Sequence, residues 1–156
     1  PGLVEALPES LRATAQRAAA APYAESLKAC RAILQGWAHD RDVVRPALGP
    51  TIPLHCSDEF LAGCRDLARE FDVGLQTHLA ESPAQAALAL KRYGRSLTAH
   101  LDQLGLLSER FSGAHAIWID HDDMQRIADA TKRAPRDGGA GERVEREARA
   151  AARASR

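Results

Sequence analysis

Short β-prone runs alternate with amphipathic helices from residue 43 to residue 130. This alternation restricts the chain to an α/β fold with parallel strands and helical crossovers. Residues 43–48, 73–78 and 114–119 read as strands, and residues 58–70, 83–93, 97–106 and 120–130 as helices. Local punctuation supports the assignment. Ser57 is placed to cap the helix over 58–70, whose apolar face is Phe60, Leu61, Cys64, Leu67 and Ala68. Ser82-Pro83-Ala84-Gln85 is a capping box with proline at the first helical position, and Gly94 stops the helix it launches. Pro46 weakens the first strand by removing a ladder donor, and residues 51–56 read as a loop. Two helices precede this region. One spans 4–20, and one spans 24–37 with Leu27, Cys30, Ile33, Leu34 and Trp37 on one face. A repeat of roughly 30–40 residues suits a (β/α)8 barrel or an open doubly wound sheet. Three strands are too few to close an eight-stranded barrel, and few for a parallel sheet that must be covered on both faces.

A length of 156 residues is about one domain, and 45% hydrophobic content is enough for a core and excludes global disorder. Twenty-one basic residues balance twenty-one acidic ones, so no overall field draws the chain to nucleic acid or an anionic membrane. No apolar run approaches the ~20 residues of a membrane helix, and no basic-then-apolar leader opens the chain. Cys30, Cys56 and Cys64 are odd in number and lack metal-finger spacing, which points to a reducing, cytoplasmic setting.

The balanced charge conceals a boundary. Residues 131–156 hold 8 Lys/Arg against 4 Asp/Glu, with Val144 as the one large aliphatic residue. The expected organisation is a folded unit over 1–130 and a basic tail over 131–156 that is disordered or a solvated helix. The tail has no interleaved aromatics for stacking on nucleic acid.

Ligands of α/β folds gather at the carboxyl ends of the strands. His78 closes the second predicted strand, Glu81 follows it by three residues, and His115 lies in the third. An imidazole there can bind a divalent metal, and a nearby carboxylate can move protons to and from a metal-activated water. The spacing fits an ordinary hydrogen-bonding pair equally well. Elsewhere, His55-Cys56 is expected to line a loop, Cys30 and Cys64 to sit in the core, and Trp37 and Trp118 to anchor packing. His100 and His121 are expected to face solvent, and Asp120, Asp122 and Asp123 to mark a helix N-terminus. Arg45 precedes the loop on the expected substrate side, where it could meet an anionic group or simply lie on the surface.

Thr77-His78-Leu79-Ala80-Glu81-Ser82, followed by Gln85 and Tyr93-Gly94, resembles a stretch of the amidohydrolase superfamily. The similar branch contains metal-dependent deaminases and chlorohydrolases of cyclic amidines, with cytosine, guanine, adenosine-type and triazine substrates. Residues 49–57 resemble its loop after barrel strand four, and residues 113–118 its strand six. The resemblance covers about residues 24–130. It implies an α/β fold that is part of a (β/α)8 TIM barrel, about strands four to six with their helices. It also implies hydrolytic deamination or dechlorination of a small heterocyclic substrate. His78 would be a ligand of one divalent metal, zinc or less often iron. Glu81 would shuttle protons between water and a ring nitrogen, and His115 would orient substrate or attacking water.

Departures from the family pattern carry expectations of their own. The sequence contains no His-x-His of the kind that supplies two further ligands from strand one, and it ends before a strand-eight aspartate. One protein ligand does not hold a catalytic zinc, which normally has three. Thr51 stands where adenosine-type deaminases often carry histidine. The competing expectation is a catalytically silent remnant that self-associates over exposed barrel edges, a homo-oligomer.

The resemblance fades where the tail begins. A one-base shift of GC-rich codons for residues 143–149 permits Val-Ser-Asn-Ala-Lys-Leu, which is similar to the family's next block. The tail is therefore expected to be an out-of-frame translation. Coding DNA read in the other two frames after Ala130 should contain that block; its absence from both frames defeats the idea.

Overall fold

A computed structural model describes residues 7–12 and 23–132. The predicted tail and most of the predicted helix over 4–20 lie outside the described residues; residues 9–12 form one helical turn. The described elements are helix α1 (Tyr23–Gln35), strand β1 (Ala47–Leu48), a 3-10 turn (Pro53–His55), α2 (Asp58–Glu70) and β2 (Gly74–Leu79). They continue with α3 (Pro83–Tyr93), α4 (Leu97–Gln103), β3 (Phe111–His115) and α5 (His121–Lys132).

Helix boundaries follow the polar signals in the sequence. The Ser57 hydroxyl accepts the Phe60 N–H, and Asp58 and Glu59 place negative charge in the first turn of α2. Ser82 caps α3 with Pro83 next to it, and Gly94 ends that helix at φ 66°, a left-handed conformation that glycine adopts at little cost. Ser96 caps α4 by accepting from Ala99 N–H, and its hydroxyl also contacts Asp123 Oδ1 at 2.5 Å, which ties α4 to buried Asp123 in the first turn of α5. Asp120 accepts the Asp123 N–H and so caps α5.

The three strands form one parallel sheet in the order β1-β2-β3. Ala47 stands beside Gly74 in one pair, and Leu75 to Leu79 run beside Phe111 to His115 in the other. Along β2, Leu75, Thr77 and Leu79 are buried while Gln76 and His78 are exposed. This period of two sorts the strand into a face toward the helices and an open face. Leu61, Cys64 and Leu67 form the buried stripe of α2 in the same core. Helix α1 lies close on α2, because a Cβ at Gly63 would come within 2.3 Å of Leu27 Cδ1. Arg31 and Glu70 join the two helices through a two-pronged ion pair, with Nη2 to Oε2 at 2.7 Å. The guanidinium hydrogen bond holds the Glu70 carboxyl below the usual carboxylate range.

Several expectations are corrected. The first strand is only Ala47–Leu48, since Val43 and Val44 lie in an exposed turn and Pro46 keeps the preceding residues off the ladder. The third strand begins at Phe111, three residues before the predicted start, and Ile117 and Trp118 lie exposed beyond it. Trp118, at 52% exposure, therefore anchors no packing among the described residues. His100 is buried rather than solvent-facing: its ring stacks on Tyr93 with centroids 3.6 Å apart, and Nε2 lies 3.0 Å from Asp58 Oδ1. Ile33, predicted on the apolar face of its helix, is exposed. Among the described residues no helix is long and apolar enough to cross a membrane.

Leu61 is fully buried where α2 meets the rest of the core. Leu61→Ala should lower unfolding stability by about 2–5 kcal/mol, measured as a reduced urea midpoint with an unchanged slope.

Candidate functional site

At the carboxyl end of β2 the backbone makes an unusual connection. His78 and Leu79 complete the strand, and Ala80 turns the chain with φ 43°. Glu81 and the cap residue Ser82 then lead into α3. On the neighbouring strand His115 has φ 70° and Ala116 φ 50°. Ala116 N–H bonds Ala114 O at 3.0 Å, so His115 is the centre of a three-residue γ-turn, a rare and strained shape. Such strain costs about 1–3 kcal/mol per residue and concentrates at functional sites. Here three strained non-glycine residues meet at one strand mouth, where Ala116 N–H also bonds Leu79 O and Trp118 N–H bonds Ala80 O.

The consequence is a convergence of the three residues singled out from sequence. In the ladder His115 stands beside Leu79, a buried residue, yet the His115 ring is exposed. It lies 5.3 Å from the His78 ring, centroid to centroid, and its Nε2 is 3.7 Å from Glu81 Oε1. That separation is an ion-pair contact when the imidazole is protonated, and too long for a direct hydrogen bond.

The His78 ring is held by the chain itself. Thr51 O accepts the His78 backbone N–H at 2.9 Å, the Thr77 hydroxyl at 3.1 Å, and His78 Nδ1 at 2.8 Å. A carbonyl can only accept, so in the neutral imidazole Nδ1 carries the proton and Nε2 keeps its lone pair. This is the tautomer a metal-binding imidazole needs, with the orienting acceptor usual for metal-bound histidines. His78 thus fits as one donor to a divalent metal. Among the described residues no group of three or more His, Cys, Asp or Glu side chains could hold an ion, and a catalytic zinc normally takes three protein ligands.

Two contributors had little signal in the sequence. Thr51 acts through its carbonyl, which no side-chain pattern reveals. Gln85, read as a helix-cap residue, also holds Glu81: its Oε1 accepts Glu81 N–H at 3.1 Å, and its Nε2 lies 3.4 Å from Glu81 Oε2. The four-residue spacing of Glu81 and Gln85 was the available clue.

The other candidates lie elsewhere. His55 closes the 3-10 turn, and burial lowers its pKa from the ordinary histidine value. Arg45 is at the amino ends of the strands, opposite the mouth, lining an open cleft of about 320 Å³ with Arg41 and Arg110. Cys56 and Cys64 are buried, and burial raises both thiols; Cys64 is pushed up to about 12, with Cys30 and Cys56 adding to the effect.

A family model described as "Amidohydrolase family" matches residues 2–154. Over 108 residues, 69% of it, the chain is 32% identical to a 5-methylthioadenosine/S-adenosylhomocysteine deaminase of Syntrophobacter fumaroxidans. It is 33% identical over 90 residues, 58% of it, to a 5'-deoxyadenosine deaminase of Methanothrix thermoacetophila. The matches cover 24% and 22% of those two proteins, so the chain spans about a quarter of the length of the relatives it matches. Among solved structures, a triazine hydrolase from Arthrobacter aurescens superposes on 71% of the chain and 25% of its own, with TM-score 0.65 and 26% identity. A zinc-bound adenosine deaminase from Xanthomonas campestris shares the fold at TM-score 0.60 and 24% identity, over 64% of this chain and 23% of its own.

At pH 8 a thiol with a pKa of about 12 is ionised in about one molecule in ten thousand. Cys64 should therefore resist Ellman's reagent in the native protein, as should Cys56 through its burial, while half-buried Cys30 reacts, with all three reacting in denaturant. Fast native reaction of two or more thiols contradicts the burial.

Proposed function

The chain belongs to the amidohydrolase family, and from that premise we propose that it carries the central part of a metal-dependent hydrolase site for a heterocyclic amidine. The reaction is hydrolytic deamination or dechlorination by a metal-activated water. The strands correspond to barrel strands four to six. Deaminases among the relatives and a triazine hydrolase among the structural neighbours support this reading. The observation that carries it is the His78 ring, locked through Nδ1 onto Thr51 O with Nε2 left to bind, at the rim shared with Glu81 and His115.

In this reading His78 Nε2 is one ligand of a divalent metal, zinc or iron, and zinc-bound neighbours support zinc. When bound, such an ion supplies Lewis acidity and brings the pKa of water to about 7. Glu81 takes up and releases a proton at the rim, where its half-exposed carboxylate can reach both water and a ring nitrogen. His115 orients the substrate or the attacking water. Its γ-turn supplies the direction, and its Nε2 lies 3.7 Å from Glu81 Oε1. The further ligands come from outside the described residues.

A second reading has specific support. Among the described residues one metal donor stands at the mouth without a cage, β1 and β3 each pair along one edge, and Ile117 and Trp118 lie exposed beside β3. A silent remnant that self-associates over these surfaces would have the same features.

Zinc titration and an ammonia-release assay with a panel of aminated heterocycles separate the two. Zinc binding that weakens at least tenfold in His78→Ala, roughly the range for disturbed metal sites, supports the metal role of His78. Affinity unchanged by His78→Ala overturns it. Stoichiometric zinc with ammonia release removes the silent-remnant reading. Concentration-dependent oligomers without turnover favour that reading.

A further inference from the structure

We propose that Gln85 is a positioning residue that fixes the Glu81 carboxylate and assigns its two oxygens different tasks, an inference that rests on Glu81 being the proton-carrying carboxylate. Gln85 is 7% exposed, and its amide spans Glu81 from backbone to side-chain tip. The direction of that amide follows from chemistry. The Glu81 N–H can only donate, so the group facing it at 3.1 Å must be the Gln85 carbonyl oxygen. The NH2 end then faces Glu81 Oε2, at 3.4 Å. An NH2 group can only donate, so Oε2 is kept as an acceptor. The proton is therefore carried at Oε1, the oxygen 3.7 Å from His115 Nε2.

The arrangement departs from simple helix capping. In a capping box the third helical residue reaches back to the N–H of the cap residue itself. Here the Ser82 hydroxyl accepts Gln85 N–H at 3.3 Å, as capping requires, but the Gln85 side chain passes the cap and binds one residue further up, at Glu81. The turn at Ala80, φ 43°, brings Glu81 within reach. A buried side chain anchored in the first turn of α3 thus holds a half-exposed carboxylate at the rim in one orientation. A glutamate free at that rim would divide its time among rotamers and present either oxygen.

The test is NMR on the purified 156-residue chain without added metal, comparing the parent with Gln85→Glu, Gln85→Leu and Glu81→Gln. In Gln85→Leu the Glu81 amide should exchange about fivefold faster or more, the loss of one ordinary hydrogen bond. In Gln85→Glu an acceptor for that amide remains but the donor to the carboxylate is gone. Amide protection should then persist while the His115 Nε2 resonance moves, a change that a purely structural cap would not produce. In Glu81→Gln one of the two Gln85 side-chain NH2 protons should shift upfield. An unmoved Gln85 NH2 pair in Glu81→Gln, or an unmoved His115 resonance in Gln85→Glu, overturns the proposal. Those two conservative variants decide it even if Gln85→Leu fails to fold. None of these readouts uses a metal or turnover. Their failure removes the clamp and leaves the role of Glu81 standing, whereas zinc binding indifferent to His78 removes the metal reading and leaves the clamp.

Discussion

The carbonyl of Thr51 is the point on which the site depends. It lies in the loop after β1 and accepts from the His78 backbone, the His78 ring and the Thr77 hydroxyl on β2. One acceptor therefore joins two strands at their carboxyl ends, satisfies the buried Thr77 hydroxyl and selects the imidazole tautomer. A side-chain acceptor would have to be ordered for this task at an entropic cost, whereas a backbone carbonyl is already fixed by the strand it follows. Pro53 and Leu54, buried directly after it, hold that loop against the core.

Strain at the mouth complements this support. Regular pleating would leave His115 in the row of Leu79, facing the helices. The γ-turn takes it out of that row, and the bonds from Ala116 N–H to Leu79 O and from Trp118 N–H to Ala80 O stitch the distorted segment back to β2. The distortion persists because these bonds replace the ladder it interrupts. On the other side, Ala80 makes a sharp exit from β2 and sets Glu81 at the start of α3, where the helix N-terminus favours a negative side chain. Opposed backbone turns thus bring an imidazole and a carboxylate from different strands to one rim.

Much of this was legible in the residues. Ser57 marked the start of α2, and Ser82-Pro83 and Gly94 both limits of α3, to the residue, because caps satisfy specific orphan backbone groups and few side chains can do so. The family motif placed His78, Glu81 and His115 together, and the structure brings them to one rim. The errors came where packing decides between equals. Ile117-Trp118-Ile119 looked more strand-like than Phe111-Ser112-Gly113, yet the ladder with Leu75, Gln76 and Thr77 uses the latter. His100 carried a polar label, but Asp58 and the Tyr93 ring give it partners inside.

The sequence by itself determined the alternation of strands and helices, the parallel sheet and the ends of α2 and α3, because periodicity and capping act over a few neighbouring residues. Only the tertiary structure decided which nitrogen of His78 is free, which way His115 faces and what holds Glu81. Those depend on contacts between Thr51 and His78, Leu79 and Ala116, and Glu81 and Gln85, set by strand register and by the turns at Ala80 and His115. Local composition does not encode a register; it emerges when the strands pair and the side chains of β2 are divided between core and rim.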